Sequence, residues 1–130
     1  MPAVTFRDET ATGRSLASFQ VAGLPGRMTV RELIRLRVRE EVARHNARPV
    51  RRFHGLVRPE DAETELNGYL LREPRRLDWE RQADVAERAF LGNGFLMLAG
   101  DRQVEDLDEE VDLAGDPELV FIKLIPLAGG

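Results

Sequence analysis

The sequence predicts an α+β fold, and three observations carry that prediction. Two short β-prone runs open the chain around a glycine turn, two helical stripes each follow a polar N-terminal cap, and the last strand-like run is apolar on both faces.

The opening runs hold Val4 and Phe6, then Leu16, Phe19 and Val21, separated by DETATGRS, in which Thr12-Gly13-Arg14 favours a turn. A β-hairpin is expected. Two glycines and a proline in GLPGRM then forbid regular structure. Thr29 is followed three residues on by Glu32, the spacing at which each side chain can bond the other's backbone N–H. Over residues 30–45, Val30, Leu33, Ile34, Val38 and Val42 recur at spacings of three and four, which predicts a helix with one buried stripe. Pro49 lies just beyond, so the helix is expected to end near Asn46 in a left-handed cap.

Residues 47–76 mix short apolar pieces with Pro and Asn-Gly. Short strands are expected over residues 53–57 and 69–71, with a helical turn over 60–66. Asp78 is a natural N-cap for a second helix, with Trp79, Ala83, Ala86 and Phe90 on one face and Gly92 at its end. FLML reads as a buried strand, AGDR as a turn, QVED as an edge strand and LDEEVDLAGDPE as an acidic connection. The final strand is expected over residues 119–125, with Val120, Ile122 and Leu124 on one face and Leu119, Phe121 and Ile125 on the other. Both parities are apolar, as in a strand at the middle of a sheet.

A chain of 130 residues, 42% apolar and 32% charged, is long enough to bury the core of one domain without staples. It has no cysteine, which excludes disulfides, thiolate chemistry and cysteine-held zinc. Neither a basic leader with an apolar core nor a membrane-length apolar run is present, so cytoplasmic residence without a membrane partner is expected. The net charge of −4 hides an asymmetry: residues 27–58 carry ten Arg against three Glu, and residues 101–118 carry nine acids against Arg102. Such blocks permit head-to-tail self-association, or are simply two solvated surfaces of opposite sign.

A hairpin, a capped helix, further short strands and a central C-terminal strand make a β-grasp arrangement. FLMLAGDRQVEDLDEEVDL, leading through ELVFIKLIPLAGG to a final Gly-Gly, resembles the second half of ubiquitin, and VTFRDETATGRSLASFQVAG with MTVRELIRLRV resembles its first hairpin and helix. The resemblance covers about residues 3–46 and 94–130. It implies a single ubiquitin-like domain over 1–130, an insertion over about 47–93 carrying the second helix, and a flexible tail over about 126–130. The Arg-rich composition and the insertion are nearer to bacterial ubiquitin-like modifiers, including those of antiphage conjugation operons.

In that family the terminal glycine carboxylate is adenylated by an ATP-using activating enzyme and passed to a thiol. A conjugating enzyme then links it to a protein target, and a deconjugating peptidase can remove it. The resemblance makes Gly130 the acyl donor, Gly129 a slim spacer, and Pro126, Leu127 and Ala128 the segment that the activating enzyme reads. Ubiquitin has arginines where this chain has Pro126 and Ala128, which implies a dedicated activating enzyme. Phe121, Lys123 and Ile125 form a candidate partner surface, unless the insertion packs there instead. Lys123 is the only lysine among nineteen basic residues. The modifier would then attach singly or be linked elsewhere than through lysine, and arginine-favouring codon use accounts for the same scarcity.

Signs of catalysis are missing from the sequence. The two histidines, His45 next to Arg44 and His54 two residues after Arg52, have no metal-ligand spacing, which suits a surface or capping role. No catalytic residue, metal site or cofactor is expected, GLPGRM lacks the Lys-Ser/Thr of a phosphate loop, and the acidic run has no partner base. Nucleic-acid binding is disfavoured by the negative net charge and the lack of aromatics among the arginines. Two rival functions share the fold: a sulfur carrier bearing a terminal thiocarboxylate, and a non-covalent β-grasp interaction module.

Overall fold

The structure is a computed structural model that describes residues 1–65 and 68–124. Its elements run β1 (Val4–Thr10), β2 (Ser15–Val21), β3 (Arg27–Thr29), α1 (Val30–Ala47), β4 (Arg52–Phe53), β5 (Glu63–Glu65), β6 (Gly68–Leu70), α2 (Trp79–Leu91), β7 (Phe95–Ala99), β8 (Arg102–Val104), β9 (Glu110–Asp112) and β10 (Glu118–Lys123). Two helices and a mixed sheet make this an α+β protein. The chain divides into two units, one of Met1–Glu32 with the chain from Phe90 onward and the other of Leu33–Ala89.

The first unit is built on a five-stranded sheet of order β2-β1-β10-β7-β8. β1 and β2 form the expected antiparallel hairpin, turned at Gly13 with φ 88°, and a register shift falls between Asp8 and Glu9. β10 lies parallel to β1 and antiparallel to β7, at the middle of the sheet, as its double apolar parity predicts. Registers place Phe6 beside Leu119, Asp8 beside Phe121, and Phe121 beside Met97. One face therefore carries Val4, Phe6, Phe95, Met97, Leu119 and Phe121, all fully or almost fully buried. Five of the six phenylalanines meet in a continuous chain: Phe19 to Phe6 at 5.4 Å between centroids, Phe6 to Phe121 at 6.0 Å, Phe121 to Phe95 at 5.9 Å and Phe95 to Phe90 at 6.0 Å. Tilted rings at these separations let the edge of one ring meet the face of the next.

The segments expected to be irregular contain a second ladder. β3 begins inside GLPGRM and pairs antiparallel with β9, inside the acidic connection, so that Met28 opposes Val111. Three-residue strands are too short to show a two-residue period, which hides them from pattern reading. The pairing has a clear physical purpose, because it delivers the acidic segment to the start of α1. Val30 N donates to Glu109 O and Arg31 N to Leu107 O, both at 2.9 Å, satisfying two of the orphan donors of the first helical turn. The capping box is present: Glu32 Oε1 accepts from Thr29 N at 3.0 Å, and Thr29 Oγ1 accepts from Glu32 N at 3.1 Å. Arg31 pairs with Asp108 and Arg27 with Glu110, while Arg102 holds Glu109.

In the second unit α1 presents Leu33, Ile34, Val38 and Val42 on its buried stripe, as their spacing predicts. It also buries Arg37 and Glu41, an i,i+4 pair with Nε and Oε2 3.2 Å apart, and Glu41 Oε1 accepts from Leu56 N at 3.0 Å. The helix ends at Ala47, next to the expected Asn46, but Asn46 is still helical and is not among the residues with positive φ, so it is not a left-handed cap. Asn46 instead uses its amide on Leu77, donating to its carbonyl and accepting from its N–H, both at 2.8 Å. Asp78 caps α2 as expected, its Oδ1 accepting from Glu80 N and Arg81 N.

Residues 47–76 depart most from expectation. The strand expected over 53–57 ends at Phe53, where Gly55 allows the chain to press on the Phe53 ring so closely that a Cβ would lie 2.1 Å from it. The expected helical turn over 60–66 is a tight turn, with Ala62 N bonding Pro59 O and Asp61 at φ 60°, followed by β5; Leu66 lies outside the described residues. β4, β6 and β5 form a three-stranded antiparallel sheet, and Leu71 N extends it by donating to Arg51 O at 2.7 Å.

The hydrogen bonds from Thr29, backbone first and then hydroxyl, hold the Glu32 carboxyl below the usual carboxylate range. A depressed folded-state pKa contributes stability above the unfolded value and loses it as pH falls through the folded value. Thr29→Ala is expected to cost about 1 kcal/mol at neutral pH. In urea titrations from pH 7 to about pH 3, the deficit of Glu32→Ala relative to the unaltered chain is expected to narrow as Glu32 protonates. A deficit that does not change with pH would show that the carboxylate charge has no part in the cap.

Candidate functional site

The residues expected to carry conjugation, Gly129 and Gly130, the tail residues Pro126, Leu127 and Ala128, and Ile125 of the expected partner surface lie outside the described residues. What the structure defines is the strand that leads to them. β10 is held by β1 on one side and β7 on the other through Lys123, and Leu124 follows it with 41% of its surface exposed. A segment leaving the middle strand of a sheet starts from an anchored point rather than a fraying edge.

The expected partner surface requires correction at Phe121. Its side chain has 0% exposure, enclosed between Phe6 and Phe95, and a buried ring offers nothing to a partner. The sequence pattern separates the two parities of β10 correctly, but only their burial in the folded chain shows which one meets the core. Lys123 shares the face of Phe121 at the end of the strand, its Nζ 4.0 Å from Asp8 Oδ2.

The opposite parity carries Leu96 and Leu98 of β7 with Val120 and Ile122 of β10, directly paired as Val120 with Leu98 and Ile122 with Leu96. Val120 is buried and the other three are half-buried. Beside them on β1, Arg7 opposes Val120 and bridges Glu9 at 2.7 Å and Glu118 at 2.9 Å. This is a small apolar strip bordered by a fixed charge network, the composition of a surface suited to protein contact. The sequence signal for it was the pair of leucines at alternate positions in FLML, which fixes a face but not its direction.

At the end of α2 a hollow of about 250 Å³ is lined by Phe90, Asn93, Phe95, Gln103, Val104 and Glu105. Glu105 is the one titratable group among these, so the hollow assembles no acid–base pair.

In the second unit, His45 is neither exposed nor a cap. It is 9% exposed, its Nε2 lies 2.8 Å from Arg75 O, and its ring stands edge-on to Phe53 at 5.3 Å. Two arginines of α1 are engaged within the unit: the guanidinium carbons of Arg35 and Arg39 each lie 5.7 Å from the Trp79 ring centroid. Arg35 also bonds Asp84 at 3.0 Å and Glu87, and those two carboxylates, Asp84 first, raise its proton affinity further. The i,i+4 spacing of Arg35 and Arg39 was the sequence signal for a shared aromatic partner.

Phe121→Ala is expected to destabilise by about 3–5 kcal/mol, and Ile122→Ala by about 1 kcal/mol, in equilibrium urea denaturation. Equal and small effects would return Phe121 to the surface and reverse the assignment of faces.

Among the described residues, no helix is long and apolar enough to cross a membrane. No protein-family model, curated protein or solved structure matches the chain.

Proposed function

We propose that this chain is a ubiquitin-like modifier of β-grasp fold, joined to target proteins through the carboxylate of Gly130. The observation that carries the reading is the strand order β2-β1-β10-β7-β8 with β10 central and parallel to β1. A hairpin, then a capped helix, then a last strand threaded beside the first is the β-grasp arrangement, and here that last strand runs toward a sequence ending in Gly-Gly.

The chemistry asks little of the modifier except shape. An activating enzyme lets the Gly130 carboxylate attack the α-phosphorus of ATP, releasing pyrophosphate; a cysteine thiolate then displaces AMP and forms a thioester. A conjugating enzyme carries the acyl group onward to an amine of the target. Glycine at 129 and 130 leaves the acyl carbon without a neighbouring Cβ, so that an extended chain can enter a narrow channel and the nucleophile can approach within reacting distance. Pro126 has no backbone N–H and so cannot donate a ladder hydrogen bond. Pro126 and Ala128 lack the charges that ubiquitin offers its own activating enzyme, which calls for a dedicated one. The strip formed by Leu96, Leu98, Val120 and Ile122 is the surface assigned to the enzymes that handle the modifier.

The test compares N-terminally tagged protein in its native host with the same chain lacking Gly130, on denaturing gels and by intact mass. Boiling-resistant heavier species that vanish in the truncation are expected. A free chain heavier by one oxygen-to-sulfur exchange would replace this reading with a sulfur carrier, and an unmodified mass throughout would overturn it in favour of a non-covalent module.

A further inference from the structure

Lys123 is the chain's only lysine; the other eighteen basic residues are arginines, whose guanidinium stays charged and does not act as an amine nucleophile. It also stands seven positions before Gly130. Under the modifier reading this is a hazardous place for an amine. A nucleophile tethered to an acyl donor by so short a segment reaches an effective concentration on the order of millimolar. Its nitrogen would attack the thioester carbonyl, the C–N bond would form as C–S breaks, the thiolate would leave, and the ammonium proton would pass to water. The product would be a closed lactam unable to modify anything.

The structure places this amine where such attack is hindered. Lys123 lies on β10 in register with Thr10 of β1 and Phe95 of β7, on the core-facing side that carries Phe121. Its side chain is 20% exposed and points to Asp8, whose side chain is 11% exposed, with 4.0 Å between Nζ and Oδ2. Asp8 sits beside Phe121 across the ladder, so its carboxylate is about nine-tenths removed from water on an otherwise apolar face. Moving Lys123 outward would strip a counter-charge from that carboxylate, which is costly where solvent cannot replace it. The ammonium in an ion pair, meanwhile, has no lone pair to offer.

We propose that Asp8 withdraws the only ε-amine of the chain from acyl-transfer chemistry, so that the protein offers no lysine acceptor to a second copy or to its own activated tail. The biological meaning rests on the modifier reading; the state of the amine does not. Polymers linked through lysine are then closed to this chain.

The test is acetylation of the full chain by an N-hydroxysuccinimide ester in mildly alkaline buffer, followed by peptide mass spectrometry, with the exposed α-amine of Met1 as internal reference. Lys123 is expected to react about tenfold more slowly in the folded chain than in urea, and Asp8→Asn to restore several-fold faster native labelling. Lys123→Arg should abolish the signal and so confirm its assignment. Native labelling at the unfolded rate would overturn the proposal, as would a slow rate unchanged in a folded Asp8→Asn variant. If that variant does not fold, the ratio of folded to unfolded labelling in the unaltered chain decides. No activating enzyme is involved, so a failure of conjugation and a failure of this inference are separate results.

Discussion

The insertion of β10 between β1 and β7 is the constraint on which the first unit depends. Two strands far apart in sequence meet only through it, one in parallel and the other antiparallel. Such a strand must satisfy two ladders and present two faces, which is why Leu119, Val120, Phe121 and Ile122 carry no polar side chain. The aromatic chain follows from the same geometry. Phe121 can touch both Phe6 and Phe95 because β10 lies between the strands that bear them. A strand in this position is closed late by sequence, since its pairing with β1 spans nearly the whole chain, and its loop-closure cost must be met by burial along its full length.

The entry to α1 shows how charge and backbone geometry are reconciled. Nine acids between residues 101 and 118 would repel one another in an isolated loop. Here Asp108, Glu109 and Glu110 each face an arginine, and the carbonyls of Leu107 and Glu109 accept from the first N–H groups of the helix. Exposed ion pairs of this kind contribute little individually. Their role is registration: the β3–β9 ladder, the two backbone bonds and the capping box all specify the same first turn, so the helix starts at Val30 and nowhere else.

Legibility tracked the length and redundancy of the local signal. The hairpin, both helices, their caps at Thr29 and Asp78 and the central place of β10 could be read because each rests on several residues with one period or one spacing. Asn46 misled because its side chain has two uses, and the demand of Leu77 for an amide partner prevailed over a left-handed cap. The strands between residues 47 and 76 are two or three residues long, and no periodicity exists at that length. At the candidate site the alternation of β10 was visible, yet direction was not. Phe121 and Ile122 differ in which of them the core covers, and that is settled by burial in the folded chain.

Register links the core to the proposed chemistry. Because Asp8 pairs with Phe121 and Thr10 with Lys123 across β1 and β10, a carboxylate of β1 and the ammonium at the last core-facing position of β10 meet at the end of an apolar face. A leucine at position 123 would extend that face with less desolvation and no need for Asp8, so hydrophobic stability alone does not explain the pair. An arginine, the residue this chain uses at every other basic position, would also carry the charge and would remove the amine altogether. What distinguishes lysine here is a compact charge on an unbranched stem, which fits beside Phe95 at the margin of a packed aromatic row where a planar guanidinium demands more room and more partners. On that argument the ion pair is a packing solution, and under the modifier reading Asp8 also keeps the amine it leaves behind from the activated tail.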